Sequence, residues 1–90
     1  QDEEEVVGTI TMVFDHHARQ LQKKLTEAQH HHHKIVLAAT HLHLTHELCL
    51  EVIMTRGRAV EIQHLTEHLR QQKGVLHVTL SMTSTGEDLL

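Results

Sequence analysis

The stretch "HLHLTHELC", residues 41–49, gathers three histidines and the only cysteine of the chain between two apolar runs. If the flanking runs are strands and residues 45–47 are the turn between them, His43 faces Cys49 and His41 faces Glu51. Opposite residues of an antiparallel ladder point to one side of the sheet, with Cβ atoms about 4.5–5.5 Å apart. Residues two apart on one strand share that side as well. His41, His43 and Cys49 therefore converge, and a pair of imidazoles with a thiolate suits zinc, copper or nickel. A tetragonal arrangement would favour Ni(II) or Cu(II); spacing alone does not choose. A lone histidine on a half-exposed strand is ordinarily solvated, but a cysteine in register with the pair weakens that reading.

The chain holds 12 histidines in 90 residues, far beyond ordinary composition. Those of "QHHHHK", His30 to His33, end a helix, where histidine complements the dipole and faces water. One of them is expected to supply a fourth ligand. If the helix packs on one side of the sheet and the cluster opens on the other, donation from a neighbouring chain is the easier geometry. His64 and His68 form a helical i, i+4 pair with Glu61 on the same side, but no further donor is evident, so a solvated helix face is expected. His16 and His17 open the first helix, where a cation opposes the dipole, and are read as a weak secondary metal site. His77 is expected outward on the last strand.

The elements that must position these groups follow from periodicity. Residues 6–14, "VVGTITMVF", put Gly8, Ile10, Met12 and Phe14 on one side and Val7, Thr9, Thr11 and Val13 on the other, as in a strand. "DHHARQLQKKLTEAQ" places Ala18, Leu21, Leu25 and Ala28 at helical spacing, with Asp15 as its expected N-cap. Residues 35–44 and 48–55 form the hairpin, which Gly57 ends. "AVEIQHLTEHLRQQ" is a second amphipathic helix built on Ile62, Leu65 and Leu69, and "GVLHVTLSM" a closing strand. The order βαββαβ is the split, ferredoxin-like α+β pattern: a four-stranded antiparallel sheet with both helices on one face. If Leu42, Leu44, Leu48 and Leu50 pack under the helices, the bare face keeps Leu37, Ala39 and Ile53. That apolar surface predicts association into a dimer or larger.

Composition narrows the function. A net charge of −4 with scattered Lys and Arg gives no basic stripe for nucleic acid, so the domain alone should not hold DNA tightly. One cysteine makes no internal disulfide, and no leader or long apolar span is evident, so the cytoplasm is expected and no membrane. The chain starts at Gln1 and runs into "DEEE", which reads as a linker remnant over residues 1–5. The sensing domain is then 6–83 and the tail 84–90. Ninety residues with Phe14 as the only aromatic make a marginal core, for which a metal or subunit association would compensate.

On "VVGTITMVFDHH", "QHHHH", "HLHLTHELCLE" and "GVLHVTLSMTSTG", the chain resembles the C-terminal domain of the NikR family of nickel-responsive transcriptional regulators. The resemblance implies an ACT-like domain at a tetrameric core, with one Ni(II) per chain in a square-planar set of three imidazole nitrogens and a thiolate sulfur. It implies His41, His43 and Cys49 from one subunit, His30 from its neighbour, and Gln29 and Glu51 as outer hydrogen-bond partners. No role is carried over for His31, His32 or His33, and none is assigned to His46. Phe14 stands where relatives often have tyrosine, which removes a hydroxyl from that point. The family's ribbon-helix-helix DNA-binding part is not in this sequence, so operator DNA would be reached only through a domain missing here. The expectation is a nickel-sensing, oligomerising domain of a repressor, not an enzyme. The alternatives are an ACT-like module for a small organic effector and a metallohydrolase with Glu51 as base, which a fully donated coordination sphere disfavours.

Overall fold

The computed structural model describes residues 4–90. Strand β1 (Glu5–Asp15) leads to helix α1 (Leu21–His31), the hairpin β2 (Val36–His43) and β3 (Leu48–Arg58), helix α2 (Ala59–Arg70) and strand β4 (Val75–Ser84); a 3-10 turn, Glu87–Leu89, follows. The strands form one four-stranded sheet in the order β2-β3-β1-β4, with each neighbouring pair antiparallel. This is the expected βαββαβ arrangement. β1 already includes Glu5, while residues 1–3 of the acidic run lie outside the described residues.

Alternation decides the faces. Along β1, Ile10, Met12 and Phe14 are fully buried, and they meet Leu21, Leu25 and Ala28 of α1 and Ile62, Leu65 and Leu69 of α2 in a single core. At about 25 cal/mol per Å² of apolar surface removed from water, a large side chain such as Phe14 contributes roughly 1.5–3 kcal/mol. β3 buries Cys49, Glu51, Ile53 and Thr55 on the same side. That side is its more polar one, which is possible because the polar atoms are matched. The Thr55 hydroxyl donates to the Gly8 carbonyl at 2.7 Å, and among the described residues every buried side-chain nitrogen or oxygen has a partner.

The hairpin faces differ from expectation. Leu42 and Leu44 are about half exposed and Leu48 and Leu50 partly so, because they lie on the open face rather than under the helices. Ile53, expected on the open face, is fully buried, and Ala39 pairs with it on the helix side. The register of β1 against β3, which sets Ile10 opposite Ile53 and Phe14 opposite Cys49, fixes this phase. An apolar open face does exist, built from Leu42, Leu48, Leu50, Val52 and Met54.

Two local features differ as well. α1 begins at Leu21, after Gln20 in left-handed conformation (φ 61°), so Asp15 ends β1 instead of capping the helix. Its carboxylate accepts the His17 backbone N–H at 2.9 Å, closing a turn that carries His16 and His17. Asp15 N–H in turn donates to the Gly74 carbonyl at 2.8 Å. Gly74 has φ 102°, and a Cβ there would stand 2.5 Å from that of Ala18, so glycine is required at this crossing. In β2 the ladder slips between Val36, opposite Thr55, and Ala38, opposite Met54, which makes Leu37 the extra residue of a bulge.

Candidate metal centre

The hairpin ladder pairs His43 with Cys49 and His41 with Glu51, as the turn requires. The sulfur and both rings therefore lie on one side. That side faces the helices, not the open face on which the cluster was expected. α1 and α2 leave β2 uncovered, so His41 and His43 remain exposed although they share a face with the buried core.

Cys49 is fully buried where the core ends. His43 Nδ1 lies 3.6 Å from its Sγ across the ladder, and His16 Nδ1 lies at 3.2 Å from the turn after β1. A thiol has one proton to give, so one ring accepts it and the other must present its N–H to sulfur. Burial, and after it the Glu51 carboxylate, push the Cys49 thiol above its usual 9.0. The neutral thiol is thus the resting form, and a cation would have to displace its proton.

His16, His43 and Cys49 offer ligand atoms that all lie within 4.8 Å of one another. A nitrogen-nitrogen-sulfur set at that spacing closes on one ion with small side-chain rotations, given metal–nitrogen bonds of about 2.0 Å and metal–sulfur bonds of about 2.3 Å. The residues present therefore fit a borderline metal. Beside them a cavity of about 340 Å³ is lined by His16, His17, His43, Thr45 and His46.

His41 stands one ladder step away, its ring centroid 5.6 Å from that of His43 and 5.6 Å, edge to face, from that of Phe14. Its Nδ1 is 3.8 Å from Glu51 Oε1. The other Glu51 oxygen accepts a hydrogen bond of 2.7 Å from Gln29 Nε2. Gln29 and Glu51, expected as outer partners, thus bond each other and tie the end of α1 to the hairpin beneath His41. His30 points elsewhere: it is exposed, its ring 6.2 Å from that of His33, and it does not join the thiol group of its own chain.

His16 was read as a helix-end residue with a secondary role, yet it is the imidazole nearest the sulfur. Its approach depends on the turn at 16–20, to which the helical spacing of the sequence gave no clue. Strand alternation does bring Phe14 opposite Cys49, and a histidine two residues beyond was the available hint.

The fold and these donors define a small α+β metal-binding domain. The family described as the NikR C-terminal nickel-binding domain matches residues 7–83, and the chain belongs to that family. A relative from Geobacter sulfurreducens, described as a nickel-responsive regulator, is 52% identical over 87 residues, covering 97% of this chain and 63% of the relative. A relative of the same description from Nitratidesulfovibrio vulgaris (strain DSM 19637 / Miyazaki F) is 46% identical over 85 residues, covering 94% of this chain and 61% of its own length. The chain thus spans less than two thirds of these relatives. Among solved structures, an uncharacterized protein from Thermotoga maritima superposes with TM-score 0.80 at 17% identity, over 90% of this chain and all (100%) of that one. The ACT domain of a GTP pyrophosphokinase from Chlorobium tepidum gives 0.66 at 12% identity, over 86% and 99%. Those two likenesses speak to the fold, which is ACT-like.

Proposed function

We propose that this domain is the nickel-sensing, oligomerising part of a longer nickel-responsive transcriptional regulator. It would hold one Ni(II) per chain through His41, His43 and Cys49, with His30 of a second copy as the fourth donor. The observation that carries the reading is the buried Cys49 thiol in register with His43, next to His41 at an uncovered sheet edge. Nickel supplies a planar coordination preference that mixed imidazole and thiolate donors satisfy. The chain does the rest. Glu51, anchored by Gln29, orients the His41 ring from below, as outer partners of ligating imidazoles commonly do.

The open apolar face on Leu42 and Leu50 supports assembly, and the exposed His30 together with the uncovered β2 edge beside His41 and His43 separately supports donation of a ligand between copies. An ion that binds only the assembled form stabilises it, and this linkage would bias the arrangement of DNA-binding parts that the chain does not span. A completed coordination sphere leaves no position for turnover, so the role is regulation rather than catalysis. A reduced, free Cys49 fits a cytoplasmic setting; no helix of the described residues is long and apolar enough to cross a membrane.

A second reading puts His16 in the place of His41, favoured by its 3.2 Å approach to the sulfur. Nickel titration of His41→Ala and His16→Ala, read by the thiolate-to-metal absorption bands, separates the two. Loss of the bands in His41→Ala alone supports the first reading, and loss in His16→Ala alone supports the second. Mixing His30→Ala with Cys49→Ala chains tests donation between copies. Partial recovery of the bands in the mixture is expected, and none would mean that no ligand crosses the interface.

A further inference from the structure

A second group of imidazoles lies where the end of α1 meets α2, away from the thiol. His32 follows α1 directly, its backbone N–H donating to the Ala28 and Gln29 carbonyls at 3.1 Å. Its ring Nδ1 lies 2.8 Å from the Ala28 carbonyl oxygen. A carbonyl only accepts, so Nδ1 carries the proton and Nε2 is left with a free lone pair. A backbone carbonyl holding the second ring N–H is how proteins commonly aim an imidazole at a metal. Across the gap, the His64 and His68 rings lie 6.4 and 6.3 Å from that of His32. They occupy successive turns of α2, and i, i+4 spacing puts both on one side of the helix. His32 and His64 share a cavity of about 380 Å³ with Glu61. Glu61 Oε1 accepts the Arg58 N–H at 3.2 Å, so this carboxylate is fixed and anionic beside the rings.

We infer that His32, His64 and His68 form a second cation site, separate from Cys49, for a divalent ion that accepts imidazole ligands, such as Zn(II) or Ni(II). With metal–nitrogen bonds of about 2.0 Å, two rings on one tetrahedral ion have centroids about 5 Å apart. Each α2 ring must therefore swing inward by about 1 Å. His64 and His68 are exposed and free to do so, whereas His32 is partly buried and held by its carbonyl. Glu61 offsets part of the incoming charge without being required as a ligand, since its carboxylate is already paired with Arg58 Nε at 3.4 Å. Lys34 lines the same cavity and opposes the charge, so binding weaker than at a thiolate site is expected. Bound metal would fasten the end of α1 to α2.

Zn(II) titration of the whole chain, followed by nitrogen-detected histidine spectra and calorimetry, tests this. The expected result is a binding event in which His32 coordinates through Nε2 while Nδ1 keeps its proton, with His64 and His68 shifting at the same zinc ratio. His64→Ala and His68→Ala should each weaken that event at least 10-fold; His31→Ala and His33→Ala should change it less than twofold. The site is refuted if the His64 and His68 variants bind as the parent does. It is equally refuted if His31 or His33 responds as strongly as His32, which would mean that the histidine run binds zinc by itself. Both variants on α2 alter exposed side chains, and unchanged circular dichroism would show that a loss is not unfolding.

Discussion

The helix side of the sheet has two unlike halves. Toward β1 and β4 it lies under α2 and is closed: Ile10, Met12, Ile53 and Ile62 have no exposure at all. Toward β2 it is open, and Ala39, His41 and His43 face solvent although they share the ladder and the face of the buried residues. β3 is the seam between the halves. Its Cys49 and Glu51 are buried by the first and reach the imidazoles of the second. The contrast explains how so small a domain keeps a neutral thiol dry yet accessible to an ion. The closed half supplies rigidity and desolvation, the open half supplies donors that can still move, and the antiparallel register joins them.

The largest effect should come from breaking the seam. Cys49→Ala is expected to weaken nickel binding at least 1000-fold, about 4 kcal/mol, in competition titrations, while circular dichroism shows the fold retained. Tight binding of one nickel per chain by that variant would separate the thiol from the metal altogether. Next in size is acid. Because the thiol is pushed above its usual 9.0, it must give up its proton to a metal at any neutral pH. Affinity should fall about 10-fold per pH unit, thus about 100-fold from pH 8 to 6 through the thiol alone, with imidazole protonation steepening the loss. A flat profile would exclude thiolate ligation. Without metal the sign reverses. The unfolded chain's thiol ionises first as pH rises past 9.0, so the metal-free fold should lose stability there, as denaturant titrations at pH 8 and 10 would register.

Packing predictions come third. In the closed half, a Cβ on Gly8 would stand 2.9 Å from both Ile62 Cγ2 and Thr55 Oγ1. Gly8→Ala should therefore cost about 1–3 kcal/mol in urea unfolding while leaving the metal donors in place. If Gly8→Ala is neutral, the closed half is looser than its burial implies. The smallest effect belongs to the open sheet face: Leu42→Gln, at a side chain about half exposed, should shift the unfolding of dilute, unassembled protein by less than about 0.5 kcal/mol.

What the sequence disclosed about this molecule was local and periodic. The strand and helix order, the helix faces on Leu21, Leu25, Ile62 and Leu65, and the pairing of His43 with Cys49 all follow from spacing within a short segment. The phase of the hairpin relative to the helices did not. β3 carries leucines on one side and cysteine, glutamate and threonine on the other, and hydrophobicity alone selects the leucines for the core. The fold buries the polar side instead, because Gln29 and the Gly8 carbonyl satisfy Glu51 and Thr55. Such partners come from distant segments that no window reveals. The same limit hid His16, brought to the sulfur from 33 positions away, and His32, brought to α2 by the turn after α1.

The bulge at Leu37 has a bearing on how such a domain can change over time. Ile35, just before β2, is anchored in the core, and its carbonyl accepts the Arg56 N–H at 2.8 Å. At the far end, the hairpin turn sets His43 against Cys49. With an unpaired residue between, each end keeps its own count, as two gears keep separate phases across a slipping joint. A residue gained or lost between Ile35 and Ala38 can be absorbed at this point, so such a change need not re-aim the imidazoles.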